Sequence, residues 1–175
     1  MRMAESEAYM ATDAAVSARE ATVGMPKRID IISDTHGWLS DALLEELEGA
    51  DLIIHAGDIT SEMDWEHLKT IAPIRAVLGN NDYYRDYGRD VGRILRFTYE
   101  GLRFVVAHYR SDLLLDEADV GVCGHTHRAQ VLEEHGCLVV NPGSPTFPRG
   151  ARGATMARMY VADGRVLSTE ILDLE

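Results

Sequence analysis

Residues 28 to 36 run Arg28-Ile29-Asp30-Ile31-Ile32-Ser33-Asp34-Thr35-His36, and residues 52 to 58 run Leu52-Ile53-Ile54-His55-Ala56-Gly57-Asp58. Both are short, β-branched apolar runs that give way to small and polar residues, the pattern of a buried strand that presents a polar group at its carboxyl end. Leu39, Leu43, Leu44 and Leu47 fall on one face of a helix between them. A second helix is expected around Trp65 to Thr70, and a third strand from Ile74 to Leu78, just before Gly79-Asn80. Strands that alternate with helices predict βαβ units and a parallel sheet.

Past Asp90 the texture changes to hairpins. Ile94 to Tyr99 and Leu102 to Ala107 meet at Glu100-Gly101, and Val131 to Glu134 and Cys137 to Val140 meet at His135-Gly136. A final pair, Thr155 to Val161 and Arg165 to Ile171, turns at Ala162-Asp163-Gly164. The fold class expected is α/β, a two-sheet β-sandwich flanked by helices in four layers. Residues 27–175 are expected to form one domain, since 175 residues suffice for one core but not for two. Residues 1–26, rich in Ala, Glu, Ser and Met, predict a flexible tail or a weak helix, unless translation begins at Met25.

Seventeen basic residues against 29 acidic ones give a net charge of -12, which repels bulk DNA or RNA. A small phosphorylated substrate stays compatible, because bound dications make a site locally positive. Cys123 and Cys137 sit in apolar runs without metal-ligand spacing and are expected to be reduced core thiols. No stretch approaches the roughly 20 apolar residues of a membrane span. Acidic residues Glu5, Glu7, Asp13 and Glu20 occupy the place of a signal peptide's apolar centre. A cytoplasmic location is the expectation.

The polar residues at strand ends carry the chemistry. Asp34 and His36 follow the first strand, Asp58 the second and Asn80 the third; His108 ends the strand Val105 to Ala107, and His125 and His127 follow Val120-Gly121-Val122. Ligands bind at the carboxyl edge of open α/β sheets, so these side chains should converge. Singly, each has a plain explanation: Asp34 can cap the helix near Ser40, Asn80 can make a turn, and a histidine can be a satisfied core imidazole. Seven carboxylate, amide and imidazole groups at successive strand ends instead match the ligands of two borderline divalent metals.

In order and spacing, Asp34-Thr35-His36, Gly57-Asp58, Gly79-Asn80-Asn81-Asp82, His108 and Gly124-His125-Thr126-His127 resemble the calcineurin-like metallophosphoesterases. Asn141-Pro142-Gly143-Ser144 extends the resemblance to the small YfcE-type phosphodiesterases, and it covers residues 27 to about 173. The resemblance implies that Asp34, His36 and His127 hold one metal, that Asn80, His108 and His125 hold the other, and that Asp58 bridges them. It further implies two divalent ions per chain, Mn or else Fe, Ni, Co or Zn, and hydrolysis of phosphate esters by in-line attack of metal-activated water or hydroxide. Catalytic roles fall on Asp58, Asn80, His108 and Asn81.

Two departures bear on substrate. Many superfamily members place a proton-donating histidine where this chain has Asn81, although YfcE-type proteins commonly lack it too; an amide cannot serve as the general acid, so good leaving groups are expected to be preferred. Relatives often read His-Gly-His where this chain reads His108-Tyr109-Arg110, so Arg110 either grips a phosphate oxygen or faces solvent. Ser144 either approaches the phosphate or shapes its loop, and Arg149 either adds charge at the rim or is an ordinary loop arginine. His55, His67 and His135 match no family ligand and are expected to be structural or surface residues. The rival functions are a non-catalytic scaffold of the Vps29 kind, which shares the fold, and a phosphomonoesterase or protein phosphatase. A homodimer or larger homo-oligomer fits the relatives and the Phe97 and Tyr99 hairpin.

Overall fold

The computed structural model describes residues 24–175. The expected leader lies outside the described residues except at 24–26, where the Gly24 amide donates to Asp163 Oδ2 at 2.8 Å.

Strand β1 (Lys27–Ile32) pairs in parallel with β2 (Leu52–His55), which pairs in parallel with β3 (Ile74–Ala76). The linking segments carry α1 (Asp41–Leu47) and α2 (Glu62–Ile71). Each helix starts where a serine can satisfy the free amides of the first turn: Ser40 Oγ accepts from Leu43 N and Ser61 Oγ from Asp64 N. Ser40, rather than Asp34, is thus the cap of α1. The long hairpin of β9 (Thr155–Ala162) and β10 (Arg165–Asp173) completes a five-stranded sheet of order β10-β9-β1-β2-β3.

The second sheet contains β4 (Ile94–Tyr99), β5 (Leu102–Ala107), β6 (Val120–Val122), β7 (Ala129–Glu134) and β8 (Cys137–Pro142), in the order β4-β5-β6-β8-β7. Strands β5, β6 and β8 run parallel, with antiparallel hairpins at both edges. This is the expected two-sheet sandwich, with every expected strand present.

Alternate residues face alternate sides, so each sheet has two apolar faces to cover. Ile29, Ile31, Leu52 and Ile54 of the first sheet meet Phe104, Val106, Val120, Val122 and Val140 of the second between the sheets. The other face of the first sheet, Ile32 and Ile53, packs on Leu43, Leu47 and Leu68 of the helices. Replacing Leu47, which is fully buried, by Ala costs about 2–5 kcal/mol. Among the described residues no long helix lies over the outer face of the second sheet, only single 3-10 turns at Arg110–Asp112 and Leu115–Glu117, near Leu113 and Leu115, which pack on Val105, Val139 and Cys137. Both cysteines are buried and free. No helix of the described residues is long and apolar enough to cross a membrane.

Candidate metal centre

The parallel strands of both sheets end along one rim. The loops after β1, β2, β3, β5 and β6 bring Asp34, His36, Asp58, Asn80, His108, His125 and His127 there. Their polar atoms lie within a few ångströms of one another. His127 Nε2 is 3.1 Å and His36 Nε2 3.8 Å from Asp34 Oδ1. His108 Nε2 is 3.8 Å from the same oxygen and 3.5 Å from Asp58 Oδ2, which is 3.7 Å from His36 Nε2. Asn80 Oδ1 is 3.0 Å from His108 Nε2 and 3.1 Å from His125 Nδ1. Two groups can each surround an ion: Asp34 with His36 and His127, and Asp34 with Asp58 and His108.

Which ring atoms carry protons follows from their other partners. His108 Nδ1 lies 2.7 Å from the Ala56 carbonyl and His127 Nδ1 2.7 Å from the Phe147 carbonyl. A carbonyl only accepts, so each Nδ1 donates and, in the neutral ring, each Nε2 turns a lone pair toward the cluster. Asp34 completes the picture. Its Oδ2 accepts from Ser33 Oγ at 2.6 Å and from the His125 amide at 3.0 Å, whereas its Oδ1 is buried without any hydrogen-bond donor. Burial, partly offset by the Ser33 hydroxyl, pushes this carboxyl up to about 6. Burial also lowers the pKa of His36. The lone pairs of Asp34 Oδ1 and of the His108 and His127 Nε2 atoms thus converge, an arrangement that a divalent cation satisfies. The donor set of carboxylates, imidazoles and one amide fits such ions, and none of its members is a thiolate.

The backbone is bent to achieve this. Asp34, His36, Asp58, His125 and His127 all have φ between 49° and 68°, the left-handed region that costs a side-chain-bearing residue free energy. Neighbouring glycines leave the space. A Cβ on Gly79 would lie 2.1 Å from Asp58 Oδ1, and one on Gly124 would lie 1.9 Å from Ser33 Oγ.

Several residues outside the ligand set hold the strained loops. Asp82, fully buried, accepts from the amides of Asp58 (2.7 Å), Thr60 (2.8 Å) and Gly79 (2.8 Å) and from the Tyr87 hydroxyl at 3.0 Å. His55, also fully buried, accepts from the Gly57 amide at Nδ1 and so donates from Nε2 to Thr35 Oγ1 at 2.9 Å. Burial lowers its pKa to about 4, so it is a neutral strut between two ligand loops. Asn141 donates to the Gly124 carbonyl and to Thr126 Oγ1, fixing the loop of His125 and His127.

Asn81 donates from its backbone to Asp58 Oδ1 at 2.8 Å and from its side chain to Asp58 Oδ2 at 2.7 Å. Ser144 is fully buried and does not reach the rim: its hydroxyl donates to the Asp34 carbonyl at 2.8 Å and accepts from the Thr146 and Phe147 amides. Arg110 is bound by the Glu134 carboxylate of β7 rather than aimed at the cluster. Arg149 lines a cavity beside His36 and His127, together with Asn81 and Phe147. Of the histidines set aside, His67 and His135 lie on the surface, His135 71% exposed.

The family model for the calcineurin-like phosphoesterase superfamily domain matches residues 28–164. A probable metallophosphoesterase from Methanothermobacter thermautotrophicus is 35% identical over 160 residues, 82% of this chain and 91% of that protein. An archaeal phosphodiesterase is 25% identical in its solved structure, with a TM-score of 0.59 over 80% of this chain and 99% of the other. The YfcE phosphoesterase of E. coli is 21% identical, with a TM-score of 0.62 over 82% of this chain and 98% of the other. Vps29 of Cryptosporidium parvum shares the fold, with 19% identity and a TM-score of 0.67 over 85% of this chain and 98% of the other.

Proposed function

This chain belongs to the calcineurin-like phosphoesterase superfamily, and from that footing we propose that it is a phosphodiesterase dependent on two divalent cations. The supporting observation is Asp34 Oδ1, a buried carboxylate oxygen that no proton donor reaches and that three imidazole nitrogens surround within 3.8 Å. In this reading Asp34, His36 and His127 hold one cation, Asn80, His108 and His125 hold the other, and Asp58 is shared. Asp58 suits the shared role because its Oδ2 faces His36 on one side and His108 on the other. Manganese is our first choice, with Fe, Ni, Co and Zn also matching oxygen and nitrogen ligands. When bound, such a pair acidifies water and neutralises charge on the phosphate.

The chain's own residues set geometry and proton traffic. His108 and His127 keep Nε2 free of protons because backbone carbonyls hold their Nδ1 protons. Asn81 orients both oxygens of Asp58, and its amide has no proton of suitable acidity to give a departing alkoxide. Esters with acidic leaving groups are therefore the better substrates. The protein's charge of -12 favours small phosphorylated molecules over bulk nucleic acid, and we place the protein in the cytoplasm, where its two buried thiols stay reduced.

The test is metal analysis of the purified protein, then parallel assays of p-nitrophenyl phosphate and bis(p-nitrophenyl) phosphate with added Mn2+. About two equivalents of metal and faster turnover of the diester are expected. A protein that retains no divalent ion and cleaves neither ester is a scaffold instead, and one that prefers the monoester is a monoesterase.

A further inference from the structure

Each half of the cluster opens into its own cavity. One, of about 650 Å3, is bordered by His36, His127, Asn81, Phe147, Pro148 and Arg149. The other, of about 400 Å3, is bordered by Asn80, His108, Tyr83, Tyr109, Arg93 and Asp112. The two share a chemistry. Each presents an aromatic ring that the core does not use: Phe147 is 56% exposed and stands edge-on to the His36 ring at 5.5 Å, and Tyr83 is 66% exposed beside Tyr84, itself 87% exposed. Tyr109 adds a second ring in the latter cavity, 4.5 Å from that of His125.

Each cavity also presents an arginine. Six arginines elsewhere are ion-paired, namely Arg28, Arg85, Arg103, Arg110, Arg152 and Arg158. Arg93 and Arg149, like Arg75, Arg89, Arg96, Arg128 and Arg165, form no ion pair among the described residues. What sets Arg93 and Arg149 apart from the other unpaired arginines is their place, since each borders a cavity that is also lined by cluster residues. Guanidinium groups bind phosphate oxygens and stack on planar rings.

A diester phosphate seated at the cluster has two substituents, and the two cavities beside it offer a separate place for each. We propose that the substrate is a phosphodiester with a planar base on both arms, a dinucleotide-type molecule, with one base over Phe147 and the other over Tyr83. This rests on the phosphodiesterase reading above. A glycerol-based headgroup would have no planar face to offer either ring, whereas a base stacked on an aromatic side chain gains on the order of tenfold or more in binding.

Two esters with the same p-nitrophenolate leaving group isolate the effect: thymidine 5'-(p-nitrophenyl) phosphate and methyl p-nitrophenyl phosphate, assayed with Mn2+. The nucleoside ester is expected to have at least tenfold the kcat/KM of the methyl ester, mostly through KM. Phe147→Ala and Tyr83→Ala are each expected to lower kcat/KM for the nucleoside ester about tenfold. A wild-type ratio within twofold of unity overturns the inference while leaving the phosphodiesterase reading standing. So does an unchanged kcat/KM in both variants. Absence of hydrolysis of both esters, and of bis(p-nitrophenyl) phosphate, overturns the phosphodiesterase reading itself.

Discussion

Asp82 governs Asp58 through the backbone: Asp82 Oδ2 accepts the Asp58 amide at 2.7 Å, while the Asp58 carboxylate faces the cluster. Asp58 and Thr60 both have φ of 58°, and the same Asp82 carboxylate also takes the Thr60 and Gly79 amides. One buried charge thus holds a strained turn in place. Asp82→Asn puts an amide NH2 where an oxygen now accepts. The change is expected to destabilise the protein by about 2–3 kcal/mol and to weaken Mn2+ binding about tenfold to a hundredfold. Urea unfolding and calorimetric titration with Mn2+ check both values.

Asp34→Asn is expected to stabilise the metal-free protein and to abolish function. An amide placed with its oxygen toward Ser33 Oγ and the His125 amide directs its NH2 at the Oδ1 position, 3.1 Å from the His127 Nε2 lone pair. The orphaned acceptor becomes a satisfied donor, worth about 1–3 kcal/mol. The sign has a pH signature. Asp34 is raised from 3.8 to about 6, so its penalty is absent below about pH 4 and complete above about 6. The variant's advantage should therefore grow as pH rises from 4 to 7 in chelator and vanish when Mn2+ is added to the wild type. Melting curves across that range, with and without Mn2+, are the measurement.

His55 contributes the opposite slope. Its folded pKa is lowered from 6.5 to about 4, so its stabilisation is present above pH 6.5 and is lost as pH falls toward 4, where the unfolded chain takes a proton that the folded one refuses. Asp34 titrates in the reverse sense over the same window and masks this in the metal-free wild type. In the Asp34→Asn background, stability is expected to fall by roughly 3 kcal/mol between pH 7 and 4. His55→Gln in that background should flatten the slope, as read by urea midpoints at each pH.

What the sequence discloses and what it hides divide along a physical line. Strand ends and ligand types are local: an apolar β-branched run that breaks into Asp34-Thr35-His36 or Gly57-Asp58 marks both the strand and the site at its edge. The five left-handed ligand residues left no local trace, since aspartate and histidine carry no propensity signal for that conformation comparable to glycine's. Supports acting across the chain were equally hidden. The Phe147 carbonyl orients His127 from 20 residues away, and Ser144 reaches the Asp34 carbonyl across 110. Nothing near Arg110 announces Glu134, because the two meet only after β7 is laid down in the sheet. The cover of the second sheet's outer face is similar, since among the described residues Leu113 and Leu115 pack there from single turns.

Ser144→Ala separates a positioning role from substrate contact. The hydroxyl joins the Asp34 carbonyl to the loop that carries Phe147, and its removal leaves a buried carbonyl and two part-buried amides short of a partner. A loss of about 1–3 kcal/mol in stability is expected, with kcat lowered severalfold and KM nearly constant. A rise in KM without loss of stability would instead put the hydroxyl on the substrate. Guanidinium unfolding paired with steady-state kinetics on bis(p-nitrophenyl) phosphate distinguishes the two.

Arg110→Ala is expected to leave kcat and KM within twofold of the wild type. The guanidinium is bound by Glu134, and both side chains are 39% exposed, so the pair is a partly solvated one worth at most about 1 kcal/mol. Charge reversal at the partner sharpens the test. Glu134→Lys removes the restraint on Arg110 and places a like charge beside it, so a small loss of stability is expected, on the order of 1 kcal/mol, again without a change in KM. A tenfold rise in KM for the diester in Arg110→Ala, with stability unchanged, would return Arg110 to the phosphate. Parallel melting curves and Michaelis plots for the two variants decide between these outcomes.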